Sequence, residues 1–73
     1  MQLASRGTTE KEITEAIQSA PWQSAEFNRM ECRKNYPYNQ NWNGKFYGTK
    51  QVRPIFVEEK DRVVLITVYV YYF

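Results

Sequence analysis

The eleven residues from Val63 to Phe73 constrain the fold more than any other stretch of this chain. They read Val-Val-Leu-Ile-Thr-Val-Tyr-Val-Tyr-Tyr-Phe, β-branched or aromatic almost throughout, which predicts a strand. A membrane-spanning helix needs about twenty apolar residues, so the run is too short to cross a bilayer in that form. Strict alternation puts Val64, Ile66, Val68 and Val70 on one face and Leu65, Tyr69, Tyr71 and Phe73 on the other. Both faces are apolar, so a layer packed on one leaves the other exposed. A strand of this kind at a sheet edge invites pairing with another chain. A homodimer through 63–73, or an obligate protein partner, is therefore expected.

Seventy-three residues make one domain with one thin core, and chains of this size often add a staple. Cys32 is the sole cysteine and there is no histidine, so intrachain disulfides, Cys/His zinc sites and imidazole-dependent triads are excluded. No metal-ligand cluster or Gly-rich phosphate loop is present, and no cofactor is expected. The segment Met1 to Ala4 shows no basic stretch leading into an apolar run, as a signal peptide would, and the expected setting is cytoplasmic.

Gly7-Thr8-Thr9 opens a helix. Thr9 and Glu12 have capping-box spacing, and Ile13, Ala16, Ile17 and Ala20 form a single stripe that Pro21 ends near Ser19 or Ala20. Phe27 to Tyr36 alternates loosely as a strand, with Met30 and Cys32 on its apolar side. Pro37 to Gly44 is dense in turn formers and reads as a hairpin loop closed by Asn43-Gly44. Lys45 to Val57 reads as strand with a break expected near Lys50-Gln51, Glu58 to Asp61 as a charged turn, and Val63 to Phe73 as the last strand. The expected fold is α+β: one N-terminal amphipathic helix packed on a three- or four-stranded antiparallel sheet, most simply a meander.

Charge is concentrated in the middle. Phe27 to Val57 carries Arg29, Arg33, Lys34, Lys45, Lys50 and Arg53 against Glu31 alone. Interleaved with them are Tyr36, Trp42 and Tyr47. Cations neutralise phosphates and aromatic rings stack on unpaired bases, so Arg29, Arg33, Lys34, Tyr36, Trp42, Lys45, Tyr47 and Lys50 are the candidate RNA-binding residues. An ordinary solvated sheet face is the simpler reading of the same composition. Phosphodiester cleavage by transfer to a ribose hydroxyl can proceed without histidine or metal, if Arg or Lys stabilises the phosphorane and Tyr or Lys moves protons. Arg33, Lys45, Lys50, Arg53 and Tyr69 are the candidates for those catalytic roles. Tyr69, Tyr71 and Phe73 also fit packing or interface roles, and Cys32 fits burial better than nucleophilic catalysis.

Arg6-Gly7-Thr8-Thr9-Glu10-Lys11-Glu12-Ile13 resembles the helix opening of a family of small, mostly uncharacterised bacterial domains. Arg62-Val63-Val64-Leu65-Ile66-Thr67-Val68-Tyr69 resembles that family's terminal strand. The family is grouped with the RelE/ParE-like toxins of toxin–antitoxin systems. The resemblance implies a RelE-like toxin-type domain over 1–73 that binds RNA and cleaves mRNA, often on the ribosome, as a metal-independent endoribonuclease held by an antitoxin. Members usually carry a His several residues before the Arg-Gly pair, which this sequence lacks. The reading of a different class is a non-catalytic protein-interaction or dimerisation module built on 63–73.

Overall fold

The computed structural model describes residues 7–73. One helix, α1 (Glu10–Ser19), is followed by β1 (Gln23–Ala25), β2 (Arg29–Glu31), β3 (Lys34–Trp42), β4 (Lys45–Glu59) and β5 (Arg62–Tyr72). The helix forms as its sequence dictates. The Glu12 amide donates to Thr9 Oγ1 and the Thr9 amide to Glu12 Oε1, each at 3.2 Å, completing the capping box. The last turn closes with the Ala20 amide on the Ala16 carbonyl at 2.9 Å, just before Pro21.

All strand pairs are antiparallel, and β4 is their spine. β5 pairs with one side of it. β3 and β2 follow one another along the other side, and β1 hangs on β2 alone. The expectation of three or four strands in a simple meander is thus corrected to five. The excess comes from β1 and β2, three residues each, too short to show a period, whereas the break expected near Lys50-Gln51 is absent because both residues pair with β5. Between them Glu26–Asn28 forms a tight turn in which Phe27 and Asn28 both take positive φ, 60° and 58°. The continuous strand expected over Phe27 to Tyr36 is therefore broken twice, here and at Cys32-Arg33.

Two further corrections concern register. Pro37 to Trp42 is strand rather than loop. Pro37 sits opposite Thr49, and a bulge at Tyr38-Asn39, with Asn39 at φ 50°, restores pairing at Gln40. Only Asn43-Gly44 turns, both at positive φ. On β5 strict alternation fails at Ile66. Phe56 faces Leu65 while Ile55 faces Thr67, so Ile66 is an extra residue. The face toward the helix is accordingly Leu65, Val68 and Val70 rather than Val64, Ile66, Val68 and Val70.

The core lies between α1 and that face. Ile13, Val52 and Val68 form one cluster, with Ile17, Tyr36 and Leu65 packed on it. Ala16, Cys32 and Phe56 form a second, flanked by Ala20 and Met30. Cys32 is buried, as its strand face suggests, and burial followed by the nearby Glu31 charge pushes its thiol pKa up. Among the described residues no helix is long and apolar enough to cross a membrane.

Candidate functional site

The register of β4 separates the basic residues that the sequence runs together. Lys50, Val52, Pro54 and Phe56 point toward the helix, whereas Arg53 and Ile55 point to the opposite face.

Lys50 is buried, and its Nζ lies 2.8 Å from Glu12 Oε2 and 3.0 Å from Glu12 Oε1 and the Gly7 carbonyl. One carboxylate therefore caps the helix and binds the lysine that ties the helix to the sheet. This placement removes Lys50 from the candidate catalytic and RNA-binding groups, because its donors are spent inside the protein. Tyr36 is similarly occupied: its hydroxyl lies 3.0 Å from the Glu12 carbonyl and 3.3 Å from Glu15 Oε1, so one proton is shared between two acceptors. Burial first, then the Glu15 charge and hydrogen bond, push its pKa up to about 12. Lys34 reaches Ser19 Oγ at 3.4 Å and lies over the Tyr36 ring, again on the helix side.

Trp42 and Tyr47 belong to an aromatic cluster around Tyr72. Trp42 stacks on it with centroids 4.9 Å apart, Tyr38 lies at 4.9 Å and Tyr47 at 5.8 Å. Gly7, at φ 77°, lies against the Tyr72 hydroxyl, where a Cβ would fall 2.0 Å from the oxygen. Lys45 is exposed and lies over the Tyr47 ring. It is eight positions from Arg53 along β4, about 26 Å of extended strand. The two cannot act on one phosphate, so the five catalytic candidates do not form one site.

What the other face does bring together is Arg53, Arg33, Tyr69 and Tyr71 around Glu31. Arg53 Nε donates to Glu31 Oε2, and its Nη1 donates to the Tyr71 hydroxyl at 3.2 Å. The guanidinium lies 5.6 Å from the Tyr69 ring centroid. Arg33 Nη2 is 3.9 Å from Glu31 Oε1 and its side chain is half exposed. The Glu31 hydrogen bond, then that to Tyr71, hold the Arg53 pKa above its usual value, against the effect of burial. Two of the five guanidinium protons serve these bonds, and among the described residues the other three have no protein acceptor. Arg53 is thus fixed in orientation with donors left for an oxyanion.

Tyr69, Tyr71 and Phe73 continue this face along β5, exposed at 45%, 41% and 59%. Neighbours in that row are about 6.6 Å apart. Beside it lies a groove of about 660 Å³ bounded by the Phe27 turn, with Arg29 over the Phe27 ring at 5.8 Å. A larger groove of about 970 Å³ between α1 and the start of β5 is lined by Ile13, Ile17, Trp22, Val63 and Leu65, with Glu10, Thr14 and Gln18 along its helix side. Sequence reasoning missed Glu31 and Tyr71 as site residues. Glu31 reads as the odd charge in a basic segment, and only strand pairing puts it beneath Arg53.

No protein-family model matches the chain, and no curated protein or solved structure matches it either.

The Tyr36 geometry gives a prediction about pH. A phenol ionises near 10 in the unfolded chain and near 12 in the fold, so the unfolded state loses its proton first. The stabilisation is complete below about pH 10 and is lost as pH rises toward about 12. Tyr72, raised chiefly by burial, acts in the same direction. Urea midpoints at about pH 9 and about pH 11 should fall less steeply in Tyr36→Phe than in the wild type. Parallel slopes would refute the assignment.

Proposed function

We propose that this chain is a cytoplasmic RNA-binding domain that holds single-stranded RNA on the sheet face opposite α1. The observation that carries the reading is Arg53, fixed by Glu31 and Tyr71 beside exposed aromatic residues on β5. Arg53, Arg33 and Arg29 meet phosphates, while Tyr69, Tyr71 and Phe73 offer ring faces to successive bases. Growth arrest on expression, with an antitoxin as protein partner, is the expectation that the toxin resemblance adds. Cleavage would rest on Arg53, Arg33 and Tyr69, since Lys50 is enclosed and Lys45 is remote.

The test is fluorescence anisotropy of a labelled single-stranded RNA against the protein at several salt concentrations, with cleavage followed on the same oligonucleotide. Arg53→Gln should weaken binding about tenfold, in line with a charge-assisted contact. Arg33→Gln, at a half-exposed position, should leave stability unchanged and reduce the salt slope by roughly 0.7. Salt-independent binding that neither variant alters would overturn the reading. Self-association abolished by Tyr71→Lys, without RNA affinity, would support an interaction module instead.

A further inference from the structure

The Glu26–Asn28 turn holds a bulky side chain in a conformation that bulky residues avoid. Phe27 has φ 60° and ψ 39°, the left-handed region, and Asn28 follows it there. The turn is closed by the Arg29 amide donating to the Glu26 carbonyl. Strain of this kind is usually offset by packing, but Phe27 as a residue is 82% exposed. Its one aromatic-type contact among the described residues is the Arg29 guanidinium above it. A glycine would satisfy this backbone without strain, so phenylalanine here costs the fold and its exposed side chain does little to offset that cost.

Phe27 and Tyr69 line the same groove, together with Ile55, Thr67, Arg29 and Arg53. The groove therefore combines two aromatic rings and two guanidinium groups with the carboxylates of Glu26 and Glu31, the latter already paired with Arg53; rings beside guanidinium groups are the chemistry of a base joined to its phosphate. We infer that this groove is a slot for one unstacked base of the bound RNA, with Phe27 and Tyr69 as its aromatic walls and Arg29 and Arg53 meeting the flanking phosphates. This rests on the RNA-binding reading and adds to it where one nucleotide leaves the row on β5.

The test uses the whole chain and an oligouridylate carrying one 2-aminopurine, with binding and fluorescence read together. Wild-type protein should change the 2-aminopurine emission on binding, as stacking on a ring does. Phe27→Gly should remove that change and weaken binding roughly tenfold, the scale of one base–aromatic contact. The same variant should melt a few degrees higher, because glycine relieves the left-handed strain. Phe27→Trp should retain the emission change. A lower melting temperature for Phe27→Gly would mean that the ring serves the fold, and would overturn the slot. Tight, salt-sensitive binding by Phe27→Gly with the emission change intact would also overturn it while leaving RNA binding on the sheet standing. Failure of the wild type to bind the oligonucleotide would remove both.

Discussion

Lys50→Ala is expected to destabilise the fold by about 3 kcal/mol, at the lower end of the range for removing one partner of a buried ion pair. The lower end applies because the Glu12 side chain is 21% exposed, so water can reach the carboxylate left behind. The loss exceeds that of a surface pair because three acceptor contacts converge on one ammonium. Stability of a 73-residue domain is on the order of 4–11 kcal/mol, so the change removes a large share. Urea denaturation read by far-ultraviolet circular dichroism checks it, with Lys50→Met as companion, since Met retains most of the aliphatic stem. Both variants should lose stability, and Met should lose less. A loss under about 0.5 kcal/mol in Lys50→Ala would place the lysine among ordinary surface charges. RNA affinity should be measured only where the variant remains folded, because unfolding mimics the loss of a catalytic lysine.

Phe56→Ala should be at least as damaging, about 3–5 kcal/mol. Phe56 is fully buried between Ala16, Cys32 and the sheet, and Trp22 meets its ring edge-on with centroids 4.8 Å apart. Removing the ring opens a cavity beneath the helix that small neighbours such as Ala16 and Ala20 cannot fill. The edge-on contact adds a smaller term, about 0.5–1.5 kcal/mol. Thermal unfolding monitored by tryptophan emission measures the loss. Trp22 should become more exposed in the variant even before the transition. Phe56→Leu, which keeps most of the volume, should recover more than half of the lost stability. If alanine and leucine were equally tolerated, the second core cluster would be less tightly packed than its burial implies.

Much of the helix could be read from the sequence, and so could Arg29, Arg33, Arg53 and Tyr69 as candidate residues, but not which of the candidates share a face. Thr9, Glu12 and Pro21 lie within a few residues of what they control, so local spacing suffices to find both helix ends. Asn43-Gly44 marks its turn for the same reason. Pro37 and the Asn-rich stretch after it carry loop composition, yet pairing with β4 makes them strand, and a bulge at Asn39 absorbs the mismatch. The extra residue at Ile66 is invisible to a periodicity argument, because Val63 to Ile66 is apolar at every position and a one-residue slip brings no polar side chain inward to reveal it. For the site, the decisive facts are long-range. Lys50 meets Glu12 across 38 positions and Arg53 meets Glu31 across 22. Basic composition located the right segment of chain, but strand parity decides which cations are enclosed and which face solvent.

The attachment of β1 has a consequence for how the Phe27 groove opens. β1 is held by three register pairs to β2, and β2 meets β4 at only two. Opening that corner breaks few ladder bonds and leaves the Ile13, Val52 and Val68 cluster covered, although it uncovers Met30 beside Phe56, so its free energy lies below that of global unfolding. Amide protons of Gln23–Glu31 are therefore expected to exchange faster than those shared by β4 and β5, which native-state hydrogen exchange would check. One wall of the groove is therefore carried by two short strands and the other by the long β4–β5 pair, so a guest that displaces the first wall meets resistance only where Met30 packs beside Phe56.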